Sequence, residues 1–504
     1  MSTARASAAG RRALYPYYFG GAVGATAAGA MIGQQPQAAF ALAVLGLLAL
    51  ALTAWPDGVT LLVLWLTYLS VAPVAVNYHH APVALGLAIP LLLVIPVANQ
   101  LLRGRELIAT PAFVLILAFL FVQLLSTMLS IDINAGWAKV QTFGFEGVLV
   151  YFLIINAIRT PAMLRQAIWV LLAAGACLSA LTLFQHVTGT YATPYGGFAQ
   201  VGRDYLAGRV DEPRLSGPLG DPNYYAQILI VLAPLGLMLS VGVRSLAQKV
   251  LAFSATALIA AAVAFTASRG AGVALLLVVI LMAGFRYISG KHVLFIALGL
   301  TILVTAVPNY RDRVSTLINV AGASQTGPSR YERGTDLSVR SRSTEMVAAA
   351  LVFSDHPILG VGPDQFPLYY QEYAGKTGGE VHETNKFGAS KGEAPKREAH
   401  NLFLSIAADL GLAGLAVFLA LILVTGRDLV RARRHWLLRD RALANIATGF
   451  MLALVAYLVT GMFLTLAYER YFWLLLALAG ATSAIARSEK RDAERAVNAP
   501  ATSR

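Results

Sequence analysis

Four places in the chain gather polar groups that their apolar surroundings do not require, and three of them carry an arginine suited to a negatively charged group. The first is Arg214-Leu-Ser-Gly-Pro-Leu-Gly-Asp221-Pro-Asn223-Tyr-Tyr-Ala226, which runs straight into an apolar segment. Asp221 followed by Pro222 is a helix-start signal. Exposed amides at such a start favour anions, and Arg214 stands close before it. For Asp221 and Asn223 the alternative is a capping role alone. The second place is Ser268-Arg269-Gly270, a tight turn between two long apolar segments. Its guanidinium must sit at headgroup depth beside two helix ends, where it either reaches lipid headgroups or grips a phosphate bidentately.

The third is Arg340-Ser-Arg342, followed by Asp355-His356-Pro357-Ile-Leu-Gly360-Val-Gly362-Pro-Asp364-Gln-Phe366. Glycines with proline in this pattern imply a constrained turn that approaches another backbone. Arg340 reads as solvating a helix face; Arg342 is equally suited to that and to an anion. The fourth is His400-Asn401, ahead of the apolar run LFLSIAADLGLAGLAVFLALILV. A neutral imidazole titrates near pH 6.5, which suits a general base, and His400 stands where a polar loop meets the apolar run. Asp409 lies about 13 Å further along if the run is helical. A carboxylate at that depth faces a bundle interior and finds a partner, so Asp409 reads as structural.

Missing motifs narrow the chemistry. No outside loop carries an Asp-x-Asp: Asp132-Ile133-Asn134 lacks the second carboxylate. Cys177 is the single cysteine, and the adjacent His79 and His80 are poorly spaced to share a helix face, so they read as interfacial. Arginines with one histidine fit the departure of a pyrophosphate with no metal or other cofactor, because Arg offsets charge developing on the leaving group. They do not fit hydrolysis by paired carboxylates.

The elements that must position these residues are membrane helices. Of 504 residues 57% are hydrophobic and 13% charged, well below the charge of soluble domains. Apolar runs near the bilayer-spanning length recur at 16–34, 38–55, 59–77, 82–99, 111–130, 144–158, 166–187, 223–242, 249–268, 271–288, 292–308, 401–425, 443–465 and 469–486. The expected fold is therefore all-α, a polytopic transmembrane bundle of about fourteen spans, twelve as the fallback, with a partly helical periplasmic loop. Arg11 and Arg12 before an Ala/Gly-rich stretch also suit a signal peptide, but a first span needs the same pattern.

Lys and Arg fix the expected orientation. With an inside N-terminus, most of them fall on inside segments, including Arg427, Arg431, Arg433, Arg434, Arg439 and Arg441 in one loop and Arg487, Lys490, Arg491, Arg495 and Arg504 in the tail. This puts both termini in the cytoplasm of a bacterial inner-membrane protein. It also explains the net charge of +13 without nucleic acid, since the basic residues are dispersed between spans. The expected divisions are 1–308 (eleven spans with a periplasmic loop at 188–222), 309–400 (a large periplasmic loop), 401–486 (three spans) and 487–504 (a cytoplasmic tail). Within the large loop, 340–354 reads as a short helix, and the Gly, Lys and Glu-rich 374–398 as a mobile flap.

At these residues the chain resembles the O-antigen ligase family, which includes related membrane polysaccharide polymerases and protein O-oligosaccharyltransferases. The likeness is sharpest at Arg214 to Ala226, Ser268 to Gly270, Asp355 to Phe366, and His400 to Gly414 with its Asp409-x-Gly411-xx-Gly414 ending, and covers roughly residues 205–425. It implies a polyprenyl-pyrophosphate-linked glycan donor, no metal, His400 activating the acceptor hydroxyl as base of an inverting transfer, Arg214 and Arg269 on the pyrophosphate, Arg342 as the family's loop arginine beside them, and Asp221, Asn223, Asp364 and Asn401 as supporting residues. Fourteen apparent spans, where the family is expected to have about twelve, and the charged insert before His400 are departures. A ligase would use lipid A core as acceptor, a polymerase a second lipid-linked repeat. A transporter or flippase is the rival from another class, but the halves show no repeat and the polar groups gather at one face.

Overall fold

Several of the described helices begin in one way: a side-chain oxygen takes first-turn amides, and a proline often follows. Thr110 accepts from the Phe113 amide, Thr160 from Met163, Asp221 from Asn223 and Tyr224, Asn401 from Phe403 and Leu404, and Asp440 from Ala442 and Leu443. Pro111, Pro161 and Pro222 stand just behind three of these caps. In a medium without water those amides have few other partners, so the caps define where each helix starts.

The computed structural model describes residues 55–202, 205, 213–289, 291, 335–376, 397–465 and 469–498. Its helices are α1 (Pro56–Tyr68), α2 (Val71–His79), α3 (Ala84–Leu91), α4 (Val94–Leu102), α5 (Pro111–Thr127), α6 (Ile133–Ala157) and α7 (Pro161–Thr188). A two-stranded ribbon of β1 (Gln200–Val201) and β2 (Leu215–Gly217) precedes α8 (Pro222–Gly242), α9 (Leu246–Phe265) and α10 (Arg269–Gly284). Then come α11 (Thr335–Asp355), α12 (Phe366–Lys376), α13 (Leu402–Trp436), α14 (Arg441–Gly461) and α15 (Arg470–Asn498).

Among the described residues seven helices are long and apolar enough to cross a membrane: α6, α7, α8, α9, α13, α14 and α15. A bent pair, α1 with α2 at 48°, makes up to eight, while α5 and α10 are shorter apolar helices. The all-α membrane bundle is therefore present, but a count of fourteen is not confirmed. The expected spans at 16–34 and 292–308, and nearly all of 38–55, lie outside the described residues, as do 377–396 of the expected flap.

Several boundaries need correction. The span expected at 144–158 begins at Ile133 and passes through a π-helical stretch at Gly144–Leu149. The span expected at 401–425 continues to Trp436, so most of the basic stretch read as a loop is helix; likewise the tail remains helical to Asn498. Lys and Arg keep good helix propensity, and an apolar-to-basic change in composition marks a change of solvent, not the end of a helix.

The core lies where α8, α13, α14 and α15 pack together with α5 and α7. Phe119, Phe143, Phe418, Phe472 and Trp473 form a continuous aromatic stack, with Phe143 and Trp473 centroids 4.7 Å apart. Small residues let the backbones close: a Cβ on Gly449 would press on Met238 and Leu235, and one on Gly242 on Ala442. Outward-facing apolar side chains such as Leu423, 71% exposed, and Phe121, 60% exposed, have no reason to face water and are matched by lipid.

Candidate active site

Five helix ends meet at one end of the bundle, and their loops carry the predicted residues. Arg214, just ahead of β2, donates from Nε to the Thr266 carbonyl at 2.9 Å and from Nη2 to Asn223 Oδ1 at 3.1 Å, with the Ala267 carbonyl at 3.5 Å. One guanidinium thus joins the start of α8 to the turn between α9 and α10, on which Arg269 is the first helical residue. Across that turn Gly270 lies against Phe463, next to Met462, whose carbonyl takes the Asn401 side-chain amide at 3.2 Å. Tyr224 completes the ring by donating to the Thr465 carbonyl at 2.8 Å and to Glu398 at 3.2 Å.

The expected anion site at the start of α8 is overturned. Asp221 already takes the Asn223 and Tyr224 amides at 2.7 and 3.0 Å, so the donors that would meet a phosphate are satisfied internally. Capping is what Asp221 does, and Asn223 serves Arg214. At the head of α10, by contrast, Ser268 makes no side-chain cap bond, and this helix start carries Arg269 itself.

The loop helix α11 extends from Thr335 and is longer than the expected 340–354; the side chain of Arg340 lies outside the described residues. Behind it the Asp355–Phe366 segment makes the expected close backbone approach. Val361 and Gly362 amides donate to the Ala408 and Asp409 carbonyls at 3.0 and 2.8 Å, and the Leu412 and Ala413 amides donate back to Pro357 and Ile358 at 2.7 and 3.1 Å. Gly411, at φ 64°, kinks α13 at this contact, and a Cβ there would strike the Ile358 backbone.

Asp409 is buried and partnered, as a carboxylate at that position in an apolar run is expected to be. Its carboxylate accepts from the Asp364 and Phe366 amides at 3.0 and 3.2 Å, and its carbonyl from Ser126, near the end of α5, at 2.9 Å. It thus joins the loop segment and α5 to α13 two residues before the break at Gly411. Asp364 pairs with Lys139 at 3.2 Å, a contact that fastens this loop to α6.

His400 is held between loop and bundle with a left-handed backbone, φ 45°, which for a non-glycine residue costs about 1–3 kcal/mol and persists only where surroundings impose it. Asn401, next in sequence, caps α13. His400 Nε2 lies 3.3 Å from Glu345 Oε2 on α11, and Arg397 Nη1 is 3.1 Å from the other oxygen of the same carboxylate. His400 Nδ1 is buried, with no hydrogen-bond partner among the described residues. Burial pushes the His400 pKa down to about 4; the charges of Arg342 and Arg397 push the same way, and that of Asp221 opposes them. The imidazole is therefore neutral at physiological pH.

Arg214, Asp221, Asn223 and the Arg269 turn form one connected group, and His400 shares an electrostatic environment with Arg342 and Asp221. Asp364 is drawn instead into the anchoring of the loop. Sequence reading missed Glu345, Arg397, Tyr224 and Glu398. A signal for Glu345 existed, since it falls on a face of α11 otherwise lined by Ala348, Ala349 and Val352, all buried. Nothing in the sequence pairs it with His400, 55 positions away. Among the described residues no group of three His, Cys, Asp or Glu side chains is arranged to hold a metal ion.

A polytopic all-α bundle that presents a neutral histidine and several arginines at one end defines a membrane protein with a built polar site where its helix ends meet. Residues 254–419 match the family model described as O-antigen ligase, a stretch from α9 into α13 that includes Arg269, Arg342, Asp364, His400 and Asn401. This supports the O-antigen ligase family and an enzyme of the ligase or polymerase type. Arg214, Asp221 and Asn223 precede the matched stretch. No curated protein matches the chain significantly.

Proposed function

We propose that this protein transfers a glycan from undecaprenyl pyrophosphate to an acceptor hydroxyl at the periplasmic face of the bacterial inner membrane, with lipid A core as the acceptor. The observation that carries this reading is the meeting of a neutral, partly shielded imidazole with the charges of Arg342 and Asp221, at the bundle end where Arg214 grips the turn of Arg269. His400 takes the proton of the acceptor hydroxyl while its oxygen attacks the anomeric carbon. The bond from that carbon to the phosphate oxygen breaks, and the electron pair leaves with the pyrophosphate. Arg214, Arg269 and the uncapped start of α10 face the charge that develops, and Arg342 stands on the side of the base. Single displacement inverts the anomeric configuration, and charge compensation by arginine needs no metal.

The test is transfer in vitro by detergent-purified protein supplied with a polyprenyl-pyrophosphate-linked glycan and, in separate reactions, lipid A core or a second lipid-linked repeat. Product with core supports the ligase reading, product only with the second repeat replaces it by a polymerase, and no transfer with either donor–acceptor pair sinks both. Full activity in His400→Ala, or a product that retains the donor's anomeric configuration, would remove the mechanism.

A further inference from the structure

Glu345 is a carboxylate in a place where a carboxylate is costly. Its side chain is 2% exposed, and it lies on α11 among Ala348, Ala349 and Val352, which bury that helix against Val361, Phe366 and Tyr370. A buried charge is kept only where partners compensate its lost hydration. Arg397 supplies one, at 3.1 Å, and the Arg397 guanidinium is itself steadied over the Tyr370 ring at 5.9 Å. A structural ion pair would be complete at that point. The second carboxylate oxygen, however, is turned to His400 Nε2 at 3.3 Å, within ion-pair range though outside hydrogen-bond geometry, so its negative charge bears on that nitrogen, while Nδ1 of the same ring stays buried with no hydrogen-bond partner among the described residues.

We propose that Glu345 is a positioning residue for His400: its carboxylate holds the Nε2–H tautomer of the imidazole and thereby leaves Nδ1 as the nitrogen that takes the acceptor's proton. This rests on the reading of His400 as the base. In a neutral imidazole one nitrogen carries hydrogen and the other a lone pair, and a carboxylate can only accept, so the hydrogen belongs on Nε2. An unfilled buried acceptor is unfavourable, and an incoming hydroxyl relieves this by donating to Nδ1. The shielding of Nδ1 means that the hydroxyl must displace what covers it, as binding does at sites that tighten only in the productive complex. When the oxygen of that hydroxyl bonds to the anomeric carbon and pyrophosphate departs with its electrons, the proton moves to Nδ1. The imidazolium then carries both N–H groups, and Glu345 faces its positive charge. Loss of the Nδ1 proton to water restores the starting state.

The charged groups around the ring are Glu345 and Arg342 from α11, Arg397 from the segment ahead of α13, and Asp221 from the start of α8. Full-length wild-type, Glu345→Gln, Glu345→Asp and His400→Ala proteins are compared for transfer from a polyprenyl-pyrophosphate-linked glycan between pH 4 and 9. Glu345→Gln is expected to lose about 10²–10⁴-fold in kcat while its donor KM stays within about threefold. Its acid limb should move to lower pH, because removing a negative charge disfavours the imidazolium. Glu345→Asp, which keeps the charge, should recover at least about tenfold of that loss. A wild-type kcat and pH profile in Glu345→Gln overturns the inference, and so does a rise in KM alone. Should Glu345→Gln not fold, 15N NMR of the wild-type histidines decides: the Nε2–H tautomer at His400 sustains the inference, and the Nδ1–H tautomer overturns it. A fully active His400→Ala sinks instead the base reading beneath it.

Discussion

Arg214 Nε donates to the Thr266 carbonyl at 2.9 Å, a bond that ties residues 52 positions apart and fixes where the Arg269 turn sits relative to α8. The same guanidinium reaches Asn223. A planar fork is needed for this, since it must serve two acceptors on different elements and still present charge to a ligand.

Replacing Arg214 therefore removes both a clamp and a cation. Arg214→Ala is expected to lower kcat about 10²–10³-fold, the scale of losing one donor to developing negative charge. Arg214→Lys should recover only a small part, because an ammonium cannot span Thr266 and Asn223 together. Steady-state transfer kinetics check this, and near-wild-type kcat in the Lys variant would show that only point charge matters.

His400 sets the pH dependence. Its pKa in the free enzyme is pushed down to about 4, so the basic form prevails above that pH and is lost only as pH falls through it. The acid limb of kcat/KM should accordingly lie well below the pH 6.5 of an ordinary histidine. A bound pyrophosphate brings negative charge near the imidazole, which favours its protonation, so the acid limb of kcat should lie at higher pH than that of kcat/KM. Coincident limbs near pH 6.5 would contradict both expectations.

At the kink of α13, Gly411 occupies φ 64°, ψ −163°, a region essentially closed to other residues, and a Cβ would meet the Ile358 backbone. Gly411→Ala should cost more than about 2 kcal/mol and free the 357–366 segment from the bundle. Thermal unfolding in detergent and the rate of tryptic cleavage read these two effects, and an unaltered melting temperature would refute the prediction.

Asp409 offers a gentler probe of the same joint. Both its oxygens accept backbone amides, from Asp364 and Phe366. Asparagine can accept at only one, leaving an N–H opposed to an NH₂ group, so Asp409→Asn should destabilise by about 1–3 kcal/mol. Its effect on kcat should stay far below that of His400→Ala, as befits an anchor distant from the reacting bond.

Metal removal is expected to leave the reaction untouched. Transfer after dialysis against EDTA should remain within about twofold of the untreated rate, since arginine side chains carry the compensating charge. Loss of activity restored by a divalent cation would replace that part of the mechanism.

How much of this was legible in the residues follows from the range of the forces involved. Hydrophobic runs near bilayer length, caps of Thr, Asp and Asn before proline, and the Gly360–Gly362 turn are local patterns, and they predicted α5, α7, α8, α9, α14 and the loop helix with modest errors at the ends. Local signals also singled out Arg214, Arg269, Arg342 and His400, because a cation or imidazole beside an apolar run is conspicuous in composition alone. What local pattern could not supply was partnership. The continuation of α13 beyond the apolar run, the break at Gly411 against the Ile358 backbone, the satisfaction of the α8 amides by Asp221, and the approach of Glu345 to His400 all depend on which segments come to lie together. Tertiary structure decided these points, because hydrogen bonds and buried charges act over a few ångströms of space, whatever the distance along the chain.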